Sequence, residues 1–217
     1  MRVVVVANGT VEDRPMYYEV IRGADLVICA DGGANAAAAF GWTPQVVVGD
    51  MDSVSSDVLA ELERAGCEVI RHSPRKDETD LELALSEAVG RGATEIVVLG
   101  AIGGRVDHTI ANLMLLSLPA LIGRQVRILG EDAEVMLVRD EAHVQGHLGD
   151  IVSLIPVGGD ARGVTTDGLE WRLFEDTLLL GYARGVSNVM IADVARVRVK
   201  EGLVLLTHSP VRRAWGE

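Results

Sequence analysis

Five aspartates lie in three short runs of the sequence, and they are the side chains best suited to do chemistry. The runs are residues 49–53, 76–80 and 103–108, and their aspartates are Asp50, Asp52, Asp77, Asp80 and Asp107. Each run follows an apolar stretch typical of a β-strand. If these stretches are parallel strands of one sheet, their carboxyl ends share the edge at which open α/β sheets bind ligands. Mg²⁺ is usually held by one or two carboxylates plus substrate phosphates, so the runs predict Mg²⁺-nucleotide chemistry.

Asp50 and Asp52 are separated by one residue, which places both side chains on the same side of an extended chain. Such a pair of like charges favours a bound cation. The alternative is a turn in which Ser53 caps a helix that begins near Ser55 or Ser56, because Asp is common in turns for its own hydrogen bonds. The other two aspartate runs favour the metal site.

Two glycine pairs follow predicted strands. Gly32 and Gly33 precede a helix that is expected to begin at Ala34, and Gly103 and Gly104 precede one expected near Thr109. Backbone without a side chain can approach a phosphate closely at a helix start. Neither pair belongs to a GxGxxG or GxxxxGK[ST] motif, so simple strand-to-helix turns remain the alternative.

Several cationic side chains flank the acidic runs and could neutralise phosphate charge during transfer. They are Lys76, Arg75, Arg105 and His108. Surface ion pairing is the alternative, and Arg105 is favoured as functional because it lies on the glycine loop next to Asp107.

Other potential ligand groups are weaker. His143 and His147 have the spacing of a zinc-binding helix, but Gly146 and Gly149 argue against a helix, so zinc is not favoured. Trp171 lies between polar turns and is either a core residue of a β-domain or a platform for a flat heterocycle or cation.

The elements that must position these residues change character along the chain. Short apolar runs at 3–7, 26–30, 46–48, 69–71, 96–99 and 126–129 alternate with helix-compatible segments. This pattern predicts an α/β domain over residues 1–132, with a doubly wound, mostly parallel sheet and helices on both faces. From 133 to 217 strands and glycine-rich turns predict a smaller all-β sandwich. Its expected strands are 151–157, 178–182 and 194–200, with a hairpin whose two-residue turn is Glu201-Gly202.

One helix start is well specified. Thr79 followed three residues later by Glu82 fits a capping box, and Leu81, Leu85 and Ala88 form a buried stripe. Glycines at 90 and 92 are expected to end the helix.

Composition limits the possible partners. The chain has 217 residues with 20 basic against 32 acidic side chains, a net charge of -12, which argues against the basic face that nucleic acid requires. Cys29 and Cys67 are expected to be reduced and structural. The start of the sequence lacks a signal-peptide pattern, and the longest apolar stretch, 110–123, is too short to span a bilayer. A cytoplasmic protein without membrane association is predicted.

With these residues identified, the chain resembles the thiamine pyrophosphokinases. Five motifs occur in the family's order: ADGGAN at 30–35, GDMDS at 49–53, KDETDLE at 76–82, GAIGGRVDH at 100–108 and GVSN at 185–188. The family's α/β nucleotide domain followed by a β-sandwich agrees with the boundary near residue 132.

The resemblance implies transfer of a pyrophosphoryl group from ATP to the hydroxyl of thiamine, which gives thiamine diphosphate and AMP. The implied roles are as follows. Asp50, Asp52 and Asp80 hold Mg²⁺; Asp77 and Asp107 orient a metal-bound water, Lys76 or the attacking hydroxyl; and Arg105 stabilises the moving group. The nucleotide and substrate cleft is lined by Asp31, Gly32, Gly33, Asn35, Gly103, Gly104 and His108.

The resemblance also implies a homodimer in which the thiamine site uses the β-domain of the partner chain. Trp171 would stack on the aminopyrimidine, and Ser187 and Asn188 would hydrogen-bond to it. Many bacterial relatives have Tyr at the Trp171 position, and Val189 replaces a more usual acidic residue. Two alternatives therefore stay open: a pyrophosphokinase for another heterocyclic alcohol such as a hydroxymethylpterin, and a non-catalytic protein that binds ATP or thiamine.

Overall fold

The β-branched runs of the first part of the chain form a parallel sheet in the computed structural model, which describes residues 1–211. The strands of residues 1–131 are β1 (Arg2–Val6), β2 (Leu26–Ala30), β3 (Val46–Gly49), β4 (Glu68–Arg71), β5 (Glu95–Leu99) and β6 (Gln125–Leu129). They lie in the order β4-β3-β2-β1-β5-β6, and neighbours are parallel. Every predicted run in this part forms a strand.

Helices cover both faces of this sheet. Those of residues 1–131 are α1 (Pro15–Arg22), α2 (Gly33–Ala39), α3 (Ser56–Arg64), α4 (Asp80–Gly90) and α5 (Val106–Leu115), with a 3₁₀ turn at Pro119–Leu121. Val4 and Val6 of β1 pack in one buried cluster with residues of α1, α2 and α3. Helix α4 contacts β1, β2 and β3, but its buried residues lie outside that cluster. Because alternate strand residues face opposite sides, α4 covers the other face, which confirms the doubly wound α/β fold.

The start of α4 agrees with its sequence signal. Thr79 has extended backbone, and its Oγ1 accepts a hydrogen bond of 3.2 Å from the backbone N–H of Glu82. The predicted buried stripe is also present, with Ala84 added to it.

Two other helix starts differ from the prediction in one respect each. Helix α3 begins at Ser56 as expected, but it is capped by Ser55, whose Oγ accepts from Val58 N–H, and not by Ser53. Helix α5 begins at Val106 and not near Thr109, because Gly103 and Gly104 complete the turn with φ of 103° and 70° and leave Arg105 extended as the residue before the helix.

The order of the strands creates a switch point between β1 and β5. Strands β2, β3 and β4 extend the sheet on one side of β1, and β5 and β6 extend it on the other. Loops that leave adjacent strands in opposite directions open a crevice at the carboxyl edge of such a sheet. Here the crevice lies between the loops that follow β1 and β5.

A second compact unit begins at Asp132. Its described strands are β7 (Glu134–Val138), β8 (Glu141–Gln145), β9 (Ile151–Asp167), β10 (Asp176–Leu178), β11 (Asn188–Val189), β12 (Val194–Arg198) and β13 (Glu201–Ser209), and their pairings are antiparallel. Strand β13 pairs with β7 and the first part of β9, whereas β12 pairs with β8 and the last part of β9. One apolar cluster joins residues of both groups, so the unit is the expected β-rich domain.

Two predictions for this unit are wrong. The strands on either side of Glu201-Gly202 do not form a hairpin, because the long strand β9 takes part in both ladders and β12 and β13 each pair with a different part of it. The expected strand at 178–182 stops at Leu178, after which a turn closed by Tyr182 N–H to the Leu179 carbonyl (3.2 Å) follows. Gly181 with φ of 84° stabilises that turn.

Among residues 1–211, no helix has the length and apolar character needed to cross a membrane. Cys29 is buried and Cys67 partly buried, and both are free thiols. Burial raises the pKa of both thiols, which makes them poor nucleophiles and agrees with a structural role.

Candidate active site

A cleft of about 760 Å³ lies at the carboxyl edge of the parallel sheet. The loops after β1, β2, β3 and β5 line it, together with the first residues of α4. Carboxylates enter from one side and the glycine loop that precedes α5 from the other. The cleft therefore occupies the position at which open α/β sheets bind their ligands.

Three carboxylates converge in this cleft. Asp31 follows β2, and Asp50 and Asp52 follow β3; one oxygen from each lies within 4.8 Å of the others. Oxygen ligands at such spacing suit a hard divalent cation. The sequence predicted Asp50 and Asp52 for this group, whereas Asp31 was expected to contact the nucleotide.

Asp31 is the most unusual member of the group. It is 3% exposed, has a left-handed φ of 43°, and its Oδ1 has no hydrogen-bond partner among the described residues. Burial raises the pKa of its carboxyl, and the charges of Asp80 and Asp52 add to the rise, although the nearby Ser53 hydroxyl and Gly32 backbone N–H oppose it. A buried, unpaired carboxylate oxygen is costly, and a cation would remove that cost, so the site fits a divalent metal.

Lys76 supplies a positive charge beside this group. Its Nζ lies 2.7 Å from Asp80 Oδ1 and 3.3 Å from Asp50 Oδ2, and the Lys76 side chain is only 12% exposed. The contact with Asp80 Oδ1 is an ion pair without full hydrogen-bond geometry, since that oxygen remains without a hydrogen bond. Burial alone would lower the pKa of Lys76, but its pairs with Asp80 and Asp50 raise it, so the ammonium stays charged.

Three of the predicted acidic residues, Asp50, Asp80 and Asp77, have different surroundings. The backbone N–H of Asp52 donates to Asp50 Oδ1, and this bond together with Lys76 lowers the pKa of Asp50 against the effect of burial. Asp80 lines the cleft but is paired with Lys76. Asp77 lies exposed on the loop before α4.

Gly49 permits this close arrangement of carboxylates. It has φ of 151°, and a Cβ at this position would lie 2.8 Å from Asp31 Cβ and 3.0 Å from Asp80 Oδ1. The absence of a side chain at the end of β3 therefore allows carboxylates from two neighbouring elements to approach.

The opposite side of the cleft carries the cationic loop. Arg105 Nη2 donates to Asp107 Oδ2 at 2.6 Å and its Nε to Oδ1 at 3.1 Å, and both side chains are exposed. This bidentate pair raises the pKa of Arg105 and lowers that of Asp107. Asp107 also accepts a hydrogen bond from the backbone N–H of His108. Four residues of this loop predicted from the sequence line the cleft: Gly103, Gly104, Arg105 and His108.

The turn after β2 contributes mainly through packing. A Cβ on Gly32 would lie 2.3 Å from Asn8 Oδ1, and one on Gly33 would lie 2.1 Å from the Val6 carbonyl oxygen, so both glycines are needed for close approach to the β1 segment. Asn35 donates through Nδ2 to the Ser53 carbonyl and accepts through Oδ1 from Ser55 N–H. It thereby fixes the loop that carries Asp52.

Sequence reasoning missed the loop after β1. Asn8, Gly9 and Thr10 line the cleft, as do Thr79 and Asn112. The signal was their position directly after a predicted strand, at the same sheet edge as the aspartate runs. They carry no charge, and without the strand order nothing marked β1 as the strand beside the switch point.

In the second unit the structure brings Trp171, Ser187 and Asn188 together. The Asn188 side chain is buried; its Oδ1 accepts from the backbone N–H of Trp171 at 3.0 Å, and its Nδ2 donates to the Trp171 carbonyl at 2.7 Å. Asn188 thus holds the backbone of Trp171, whose side chain is 58% exposed. Ser187 is exposed with a left-handed φ of 61°, and its N–H donates to Ser153 Oγ. Such strained backbone is frequent at ligand sites.

The histidines considered for zinc do not form a metal site in the described residues. His143 lies on β8 and pairs with Glu141 at 2.6 Å, and His147 lies in the turn before β9. The acidic group of the cleft is where ligand atoms for a metal converge in residues 1–211.

The switch point of this parallel sheet presents converging carboxylates on one side and a glycine–arginine loop on the other. This arrangement is typical of proteins that bind a divalent cation together with a polyphosphate. The family profile described as "Thiamin pyrophosphokinase, catalytic domain" matches residues 17–128, and the one described as "Thiamin pyrophosphokinase, vitamin B1 binding domain" matches residues 138–204. The chain belongs to the thiamine pyrophosphokinase family.

Individual relatives agree with this assignment. Thiamine pyrophosphokinase 1 of Arabidopsis thaliana is 31% identical, covering 86% of this chain and 83% of the relative, and thiamine pyrophosphokinase 1 of Oryza sativa subsp. japonica is 30% identical, covering 83% and 78%. The crystal structure of thiamine pyrophosphokinase from Bacillus subtilis shares the fold with a TM-score of 0.86 at 24% identity, covering 97% of this chain and 99% of that one.

Proposed function

We propose that this chain is a thiamine diphosphokinase that transfers a pyrophosphoryl group from ATP to the hydroxyl of thiamine, with thiamine diphosphate and AMP as products. The observation that supports the proposal most strongly is the convergence of Asp31, Asp50 and Asp52 in a cleft at the switch point of the sheet, in a chain of this family. A divalent metal and ATP are the partners that such a site requires.

Mg²⁺ is the metal we propose. Asp50 and Asp52 would hold it, as the sequence predicted, with Asp31 as a further candidate from the geometry; Asp80 stays a predicted ligand that in this structure pairs with Lys76. When bound, the ion would neutralise charge on the phosphate oxygens and orient the polyphosphate.

The reaction makes one bond and breaks another. The hydroxyl oxygen of thiamine attacks the β-phosphorus, the bond from that phosphorus to the oxygen bridging the α-phosphate breaks, AMP leaves with the electron pair, and the hydroxyl proton passes to solvent or a nearby carboxylate. As in other phosphoryl transfers, positioning and charge neutralisation supply most of the catalysis.

The residues of the chain divide these tasks. Arg105 would stabilise charge on the moving group, and its bidentate pair with Asp107 would set its direction. Lys76 would hold Asp50 and Asp80 in place. Gly103, Gly104 and His108 would contact the nucleotide, and Asp31 would lie on the opposite wall. Gly32, Gly33 and Asn35, which the sequence predicted as nucleotide-binding, would shape that wall through packing. Asp77 is proposed to orient water or the attacking hydroxyl.

For the acceptor we propose a homodimer in which the β-domain of the partner chain supplies the thiamine site. Trp171 would stack on the aminopyrimidine, Ser187 would hydrogen-bond to it, and Asn188 would hold the Trp171 backbone. Phe174 and Tyr182, which lie near Trp171 and Ser187 in the sequence, are exposed apolar side chains. Their exposure supports an interface with a partner chain that would bury them.

We further place the reaction in the cytoplasm, in keeping with two free thiols, and expect no nucleic-acid partner for a chain of net charge -12.

The test is an AMP assay of purified protein with ATP, Mg²⁺ and thiamine. Asp52→Asn is expected to lower kcat by at least about 100-fold, since it removes a group that organises transition-state charge. The matched control is Asp57→Asn, an exposed aspartate in the first turn of α3, which should keep wild-type activity. Full activity of Asp52→Asn would contradict the proposed site.

A further inference from the structure

A buried charged cluster in the β-domain has no part in the chemistry described above. His208 on β13 is 6% exposed, and its Nε2 lies 3.0 Å from Asp150 Oδ2. Asp150 is 3% exposed, and Glu134 on β7 places Oε1 3.4 Å from the other ring nitrogen of His208. His147, in the turn before β9, lies 3.9 Å from Asp150 Oδ2 through Nδ1.

Asp150 is fully engaged by its surroundings. Besides His208, its Oδ2 accepts from His147 N–H at 2.8 Å, and its Oδ1 accepts from Val211 N–H at 3.0 Å. The pairs with Glu134 and Asp150 raise the pKa of His208 despite its burial, and backbone N–H groups with His208 lower that of Asp150. The surroundings therefore favour a protonated His208 beside an ionised Asp150 in the interior of the domain.

The cluster is joined directly to the segment proposed to bind thiamine. Met190 N–H donates to the Asp150 carbonyl at 2.8 Å, and Gly149 N–H donates to the Met190 carbonyl at 2.8 Å. The groups also pack together, because a Cβ on Gly146 would lie 2.7 Å from Asp150 Oδ2, 2.8 Å from His208 Nε2 and 2.8 Å from Met190 Sδ. Met190 directly follows β11, which contains Asn188.

From Asn188 the connection continues to Trp171, whose backbone N–H and carbonyl both bond to the Asn188 amide. A shift of Asp150 would move β11, and a shift of β11 would move the exposed Trp171 ring. Since packed interiors transmit small displacements, loss of the His208–Asp150 pair would displace the Trp171 ring.

We propose that His208 is a positioning residue, which acts through Asp150 and β11 on the backbone of Trp171 and so sets the affinity for the heterocyclic acceptor. The inference rests on the proposed function, because it assigns Trp171 to thiamine.

The test compares His208→Asn with wild type in steady-state kinetics of the full chain, with separate KM values for thiamine and ATP. We expect the thiamine KM to rise about tenfold or more, because small misplacements of a substrate-positioning group are costly. The ATP KM and kcat should change by less than about twofold, because the variant weakens thiamine binding equally in the ground state and the transition state. The matched control is His143→Asn, which removes an exposed imidazole that pairs with one carboxylate of the same domain and should leave all three constants unchanged.

Each outcome decides the question. A lower unfolding midpoint with an unchanged thiamine KM would mean a structural role only and would overturn the inference, as would equal changes in both KM values. If His208→Asn does not fold, Asp150→Asn provides the same measurement, because it removes the charge that faces His208 but keeps the size of the side chain. A wild-type chain that forms no AMP with thiamine would overturn the proposed function and the inference together, whereas an active wild type with an unresponsive variant overturns the inference alone.

Discussion

Replacement of Lys76 by Met tests the electrostatics of the cleft. The ammonium faces Asp80 at 2.7 Å and Asp50 at 3.3 Å, which corresponds to gross attractions of about 6 and about 5 kcal/mol at an effective dielectric constant of about 20. Desolvation offsets most of this, and the Asp80 side chain, at 30% exposed, can regain water. We therefore expect Lys76→Met to lower the free energy of unfolding by about 1–3 kcal/mol, less than the loss for a fully buried pair.

The assay is thermal unfolding with and without Mg²⁺. A loss of this size should lower the midpoint by about 3–10 °C without metal. Mg²⁺ should recover much of the difference, because a cation beside Asp31, Asp50 and Asp52 replaces the missing positive charge. Lys200→Met is the control: it alters the only other lysine of the chain, an exposed partner of Glu175, and should change the midpoint little. An equal loss in both variants, or a deficit of Lys76→Met that Mg²⁺ leaves unchanged, would refute the reasoning.

Three further predictions follow from the geometry. At a thiamine concentration well below the raised KM expected for Trp171→Ala, Asp52→Asn and Trp171→Ala should each be nearly inactive alone. If each active site combines two chains, their coexpression should then restore about one quarter of the wild-type sites, because random pairing makes half of the dimers mixed and each mixed dimer has one intact site. No recovery would place the site within one chain. The free energy of unfolding in urea should fall as the pH rises through the pKa of His208, which is raised above its ordinary value of 6.5, and it should also fall as the pH drops through the lowered pKa of Asp150. His208→Asn should remove the fall on the alkaline side. An unchanged pH profile in this variant would contradict the pairing of His208 with Asp150. Gly49→Ala should lower kcat by at least about tenfold, because the added Cβ displaces a carboxylate of the cleft; wild-type kcat would show that the site tolerates the methyl group.

Local patterns were sufficient for the parallel sheet. Strands β1, β2, β3 and β5 are buried over nearly their whole length, so each is an almost continuous apolar run that can be recognised without knowledge of its neighbours. Thr79 likewise predicted the start of α4, because its side chain caps a backbone N–H only three residues later. The motifs of the family then indicated the order in which acidic and glycine loops reach the edge.

What failed depended on contacts between distant residues. The expected hairpin at Glu201-Gly202 has suitable turn residues, but β9 pairs with both flanking strands, and no local signal shows that one long strand joins two ladders. The place of Asp31 in the acidic group depends on β2 lying next to β3, which only the sheet order shows. The bond of the buried Asn188 amide to the backbone of Trp171, 17 residues earlier, likewise has no local signal, and substrate binding by Asn188 stays a prediction.

The most direct test of the central claim is ³¹P NMR of the purified chain with ATP and Mg²⁺, in the presence and absence of thiamine. We expect resonances of AMP and of a diphosphate ester that appear only when thiamine is present. Formation of ADP in place of AMP, or no thiamine-dependent change in the spectrum, would contradict it.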